Sequence, residues 1–183
     1  MRYPIRATVL LLVFLTPVPS SAAVRKHGFG IGWSDARLSS DGEFSGHTMD
    51  LDGFTAFGKF GISDRWGILV SYRDLEDKED PLSNKIGDIT QIGVYGVILG
   101  RASKRVRPFF KFGLVRTDID AHIRNFWIDD EDTFLSIGLG MEVGSQSLAF
   151  YADYDVIFFD VGPNEEDFGL GVLTLGLIFK PWE

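Results

Sequence analysis

The chain has 183 residues, including 21 glycines, 16 phenylalanines and no cysteine, and its formal net charge is −8. Without cysteine there are no disulfides and no thiolate metal centres, so the fold must stand without covalent staples. The excess of 26 acidic over 18 basic residues excludes nucleic acid as a natural partner, and no sustained i, i+3, i+4 apolar spacing supports a helical protein.

The N-terminus reads as a secretory signal. Arg2 and Arg6 supply its positive region, Ala7 to Leu15 its apolar core, and Ser20-Ser21-Ala22-Ala23 a small-residue cleavage zone. That core is too short to span a bilayer, which needs about 20 residues. We expect residues 1–23 to be removed as a signal peptide, after Ala22 or Ala23, and 24–183 to form one domain. Losing Arg2 and Arg6 leaves 16 basic residues against 26 acidic ones, a mature charge of about −10.

Eight segments then alternate apolar residues with small or polar ones at a period of two, the signature of strands with two unlike faces. The first, His27 to Arg37, sets Phe29, Ile31 and Trp33 against Gly28, Gly30, Gly32 and Ser34. The second, Leu51 to Ile62, sets Phe54, Ala56, Gly58 and Phe60 against Thr55, Phe57 and Lys59. The third, Trp66 to Leu75, sets Ile68, Val70 and Tyr72 against Leu69, Ser71 and Arg73. The fourth, Asp88 to Gly100, sets Ile92, Val94 and Ile98 against Gln91, Gly93 and Tyr95.

The fifth, Arg107 to Asp118, sets Phe110, Phe112 and Leu114 against Lys111, Gly113 and Thr117. In the sixth, Phe134 to Val143, the pattern is clearest: Leu135, Ile137, Leu139, Met141 and Val143 oppose Ser136, Gly138, Gly140 and Glu142. The seventh, Ser147 to Phe159, sets Leu148, Phe150, Ala152 and Tyr154 against Ala149, Tyr151 and Asp153. The eighth, Phe168 to Lys180, sets Leu173, Leu175, Leu177 and Phe179 against Thr174, Gly176 and Ile178.

In an exported chain this pattern predicts an all-β, eight-stranded antiparallel up-and-down transmembrane barrel, with lipid outside and a narrow interior filled by side chains. The connections agree. Those after strands two, four and six are short: Ser63–Arg65, Arg101–Val106 and Gly144–Gln146. Those after strands one, three, five and seven are longer and acidic: Leu38–Asp50, Glu76–Gly87, Ile119–Asp132 and Asp160–Asp167. Periplasmic turns and extracellular loops differ in this way. A soluble barrel or sandwich alternates too, with its apolar face inward. Against it stand the Gly-rich, charge-bearing opposite face and the placement of Trp33, Trp66, Tyr72, Tyr154 and Trp182 toward strand ends, where aromatic girdles sit.

Together these segments resemble the small outer-membrane β-barrel superfamily, the OmpA/OmpX-like eight-stranded class, over nearly the whole mature chain. The resemblance implies residence in the outer membrane of a Gram-negative-type bacterium, outer-membrane lipids and lipopolysaccharide as surroundings, and the barrel-assembly machinery as a partner in biogenesis. The chain departs from the family pattern at its end, Phe179-Lys180-Pro181-Trp182-Glu183, where the aromatic is penultimate.

Three groups of residues are candidates for a role. Lys59, Arg73, Lys111, Glu142 and Asp153 fall on the inward face and form an expected interior charge network. Lys111 with Glu142 is the expected pair, and Arg73 with Asp153 a looser one. Asp129, Asp130, Glu131 and Asp132, with Glu165, Glu166 and Asp167, are possible weak cation sites, since hard cations take clustered carboxylates. Arg124, Phe126 and Trp127 form a possible contact patch, because aromatics with Arg anchor partners.

No cofactor is indicated. The function expected is structural, adhesive or envelope-interacting, exerted through acidic extracellular loops without an open pore. The alternatives are a secreted soluble barrel binding an apolar ligand, and a lipid A-modifying barrel enzyme. For the enzyme, Ser45, His47 and Asp50 supply the right residue types but no geometry.

Overall fold

The computed structural model describes residues 27–40, 48–63, 65–78, 85–100, 106–123, 126–145, 147–161 and 166–182. They form eight strands: β1 (His27–Ser40), β2 (Thr48–Gly61), β3 (Trp66–Asp77), β4 (Lys85–Leu99), β5 (Val106–Ile123), β6 (Phe126–Gly144), β7 (Leu148–Val161) and β8 (Glu166–Trp182). Each pairs antiparallel with its neighbours in sequence, and β1 pairs with β8, so the sheet closes in strand order. Closure removes the unpaired edges that an open sheet would present to lipid. The expected signal peptide and the departure at Glu183 lie outside the described residues.

One end of the barrel, the turn end, carries both sheet termini and the short connections after β2, β4 and β6. The other, the loop end, carries the remaining connections. Here the structure corrects the expected loops. Ile119–Asp132 is nearly all ladder, with β5 and β6 pairing as far as Ile123↔Phe126. Asp129–Asp132 therefore lie in a strand. The period-two pattern had hidden this, because the side-chain character changes along each strand.

That change is a reversal of polarity with height. Toward the turn end the outward residues are apolar and the inward ones polar or small. Along β6, Leu135, Ile137, Leu139 and Met141 are exposed while Ser136 and Glu142 are buried. At about 2.5 Å of height per tilted residue, Leu135–Val143 rises roughly 20–25 Å, matching an apolar band of about 25 Å. Above it the outward series turns polar on β1 through β6. Trp33 gives way to Asp35, Phe54 to Asp52, Tyr72 to Asp74, Ile92 to Thr90, Leu114 to Arg116, and Leu135 to Thr133.

At the same level the lumen becomes apolar. Ala36, Leu38, Met49, Leu51, Leu75, Ile89, Val115, Ile119, Ile157, Leu170 and Val172 are all buried there, with Phe134 packed against them. The lower part is built for lipid outside, and the upper part is built like a water-soluble barrel with its own core.

Candidate functional site

Below the apolar core, two ionic clusters fill the lumen. In the middle, Arg73 of β3 reaches across to Asp155 of β7, with Nη2 donating to Oδ1 at 2.8 Å and Nη1 to Oδ2 at 3.2 Å. Lys111 of β5 pairs with Asp153 and lies 3.2 Å from Asp155 Oδ1. Tyr95 Oη and Ser136 Oγ each donate to Asp155 Oδ2 at 3.2 Å. Arg73 also donates to Gln91, whose Nε2 donates to Thr117 Oγ1 at 3.2 Å. Lys111 lies 4.6 Å from the Tyr95 ring. All of these side chains are buried. Two cations face two carboxylates, so the cluster is neutral.

The second cluster lies nearer the turn end. Glu142 of β6 accepts from Lys59 of β2 and, at 2.5 Å, from Lys180 of β8. Phe57, Tyr151 and Phe109 stack in the lumen beside the clusters, with ring centroids 4.2 and 5.5 Å apart and Tyr151 opposite Glu142 in register. A hydroxyl bridge, in which Ser34 Oγ lies 2.5 Å from Thr55 Oγ1 and 2.9 Å from Thr174 Oγ1, ties β1 to both its neighbours.

The structure re-sorts the expected pairs. All five predicted charges point inward, but Lys111 does not meet Glu142. Their strands adjoin, yet Lys111 sits opposite Gly138 while Glu142 sits opposite Arg107. That offset of four residues is about 13 Å along the strand. Arg73 binds Asp155, not Asp153.

The missed members are Asp155 and Lys180. Asp155 shares the inward parity of Asp153, and Lys180 that of Ile178, so strand parity was the available signal. Which cation meets which carboxylate depends on the ring. β2 and β6, like β3 and β7, are four strands apart in a ring of eight, so Lys59–Glu142 and Arg73–Asp155 cross the full lumen.

Several interior glycines allow this packing. A Cβ on Gly138 would lie 2.8 Å from Lys111 Cε and 2.7 Å from Asp155 Cβ, so only glycine leaves room for the ion pair.

The loop end is acidic. Asp35, Asp50, Asp52, Asp74, Glu76 and Asp88 project into the polar outer zone, and cations neutralise a few of them. Arg37 pairs with Asp50 at 2.8 Å, Arg116 with Glu131 at 2.9 Å, and Lys78 with Asp35 at 2.5 Å. The Asp35 hydrogen bond raises the Lys78 pKa above the usual ammonium value.

Phe126 and Trp127 are strand residues of β6, while Arg124 lies outside the described residues. Glu166 and Asp167 open β8, and Glu165, Ser45 and His47 lie outside the described residues. Among the described residues, no three His, Asp or Glu side chains converge as a metal site would require.

Solved structures of similar form include several bacterial outer-membrane proteins. The chain matches Ail, the attachment invasion locus protein of Yersinia pestis, at TM-score 0.59 and 17% identity over 86% of this chain and 100% of that one. Ail has also been crystallised in complex with the heparin analogue sucrose octasulfate. Neisserial surface protein A matches at TM-score 0.66 and 15% identity over 84% and 96%. The outer membrane protein OprG of Pseudomonas aeruginosa matches at 0.53 and 14% over 88% and 99%. No curated protein matches in sequence. Identities this low carry the fold and nothing finer. The family model for the outer membrane protein beta-barrel domain matches residues 8–180, so this chain is a member of that family and resides in the bacterial outer membrane.

Proposed function

We propose that the protein is a closed, non-catalytic outer-membrane barrel whose work is contact at its extracellular face. The loop end faces outward from the cell and the turn end faces the periplasm. The observation that carries this reading is the reversal of polarity. Strands that continue beyond the apolar band, with a core of their own and carboxylates outside, form a rigid stand that lifts an acidic rim above the lipid.

Among the described residues, ion pairs cross the lumen and an apolar core fills it above them, which disfavours a channel. A surface role agrees with the neighbours, one of which is an attachment protein by name. The ligand chemistry differs, because an acidic rim repels a sulfated polyanion and favours a cationic partner. Outer-membrane lipids and lipopolysaccharide surround the apolar band, and the barrel-assembly machinery inserts it.

The test is display in the outer membrane of a non-adherent Gram-negative host, scoring attachment to cultured epithelial monolayers. Displayed protein is expected to confer attachment, and changing Asp50, Asp52, Asp74, Glu76 and Asp88 to their amides is expected to abolish it. No gain of attachment by the unaltered protein, or a steady conductance of the purified protein in planar bilayers, overturns the reading.

A further inference from the structure

The two ionic clusters of the lumen differ in charge. The middle one balances, with Arg73 and Lys111 against Asp153 and Asp155. The one nearer the turn end does not. Lys59 and Lys180, both buried, share the single carboxylate of Glu142. Arg107 stands opposite Glu142 in the β5–β6 register, on the inward parity of Phe109 and Lys111, and is half-buried. Among the described residues, three cations thus meet one carboxylate, a surplus of two positive charges.

Burial makes such a surplus costly, because hydration is lost and no counter-charge replaces it. Hydrogen-bond donors are in surplus as well. An ammonium carries three N–H groups, and each lysine gives one to Glu142. The Phe109 ring, 5.2 Å from the Lys59 ammonium, offers a π face but no counter-charge.

The cluster lies at the mouth of the barrel. Lys59, Glu142 and Lys180 are each two residues from the end of their strands, and Arg107 is the second residue of β5. Toward the turn end, the next inward positions on β2 and β6 are Gly61 and Gly144, which have no side chain to cover the cluster. On β1, Gly28 sits opposite Lys59, and a Cβ there would lie 3.0 Å from Ile178 and 3.1 Å from Lys180 Cγ. By sequence, the connections at this end add charge of the same sign, with Arg65, Arg101, Lys104 and Arg105 against Asp64. Such a one-signed field draws anions toward the mouth.

We propose that the turn-end mouth of the lumen, lined by Lys59, Arg107 and Lys180, binds a phosphate dianion, as the free ion or as a phosphomonoester. A dianion supplies the charge that the cluster lacks, and its oxygens take the ammonium and guanidinium donors. A phosphodiester, with one negative charge, balances half of it. This site lies at the end opposite the contact surface and does not depend on that reading.

The test follows backbone amide resonances of the full chain in nanodiscs of zwitterionic phospholipid during titration with inorganic phosphate. Nitrate at matched ionic strength is the monoanion control. Phosphate is expected to give saturable shifts around residues 59, 107, 142 and 180, and nitrate none. Arg107→Gln, at a half-buried position, is expected to weaken phosphate about tenfold, the loss that one charge-assisted hydrogen bond implies. Glu142→Gln removes the competing carboxylate, so it should tighten phosphate by about as much and make the unfolding midpoint rise with phosphate concentration. Glycerol phosphate separates the sources. Equal shifts with it support a monoester, and shifts with inorganic phosphate alone support the free ion.

No saturable shift with phosphate, equal shifts with nitrate, or unchanged binding by Arg107→Gln overturns the proposal. A folded Glu142→Gln variant that binds phosphate no more tightly does the same. So does the same set of shifts in phosphatidylglycerol nanodiscs without phosphate, because a diester headgroup is then the ligand.

Discussion

Replacing Asp155 by Asn is expected to be the most damaging single change in the lumen. Its carboxylate receives both terminal nitrogens of Arg73, lies 3.2 Å from Lys111, and accepts from Tyr95 and Ser136. Asparagine keeps the shape and removes the charge, so Arg73 and Lys111 are left with Asp153 as the one carboxylate of the cluster. Arg73 is 1% exposed and Lys111 0%, so water screens neither.

Breaking a buried pair in this way costs roughly 3–5 kcal/mol. With a guanidinium slope of roughly 2–6 kcal/mol/M, the unfolding midpoint should fall by about 1 M. The assay is equilibrium unfolding in detergent micelles, read by the mobility difference between folded and heat-denatured barrel on gels. The double change Asp155→Leu with Arg73→Met removes both charges and leaves Lys111 to Asp153, so it should recover most of the loss. A loss below about 1 kcal/mol for Asp155→Asn, or a double variant as unstable as the sum of its singles, would falsify the assignment of a dry, interlocked cluster.

Three other outcomes follow from the same geometry. Gly138→Ala forces a methyl against Lys111 and Asp155 and should cost about 1–3 kcal/mol in the same unfolding assay, whereas Ala152→Gly on the adjoining outward face should cost less. Ile157→Ala, fully buried in the upper core, should lose about 2–5 kcal/mol; a negligible loss would show that this level of the lumen is hydrated. The chain has no cysteine, so single-cysteine variants report cleanly. On intact cells a membrane-impermeant thiol reagent should label Asp88→Cys and spare Val94→Cys, although both face outward on β4; equal labelling would remove the lipid boundary from its assigned height.

The barrel was legible in the sequence because a strand with two unlike solvents writes both into its alternation. Phe29, Ile31 and Trp33 against three glycines, or Leu135 to Val143 against Ser136, Gly138 and Glu142, admit few other readings. Even the second polarity was present. Ala36 and Leu38 follow Asp35 with the opposite parity, and Leu170 and Val172 precede Leu173 and Leu175 in the same way. Placed in a loop, Leu38 carries no parity, and the acidic stretch Asp129–Asp132 looks like a connection.

Local pattern determined the strands, the closed sheet with its inward charges, and the membrane. Only the closed ring decided that Lys59 crosses to Glu142 and Arg73 to Asp155, because a partner four strands away leaves no trace in local spacing. The ring also decided that β6 climbs with β5 while β7 leaves it for β8. Ladder length is a property of two strands at once, so no single strand's sequence contains it.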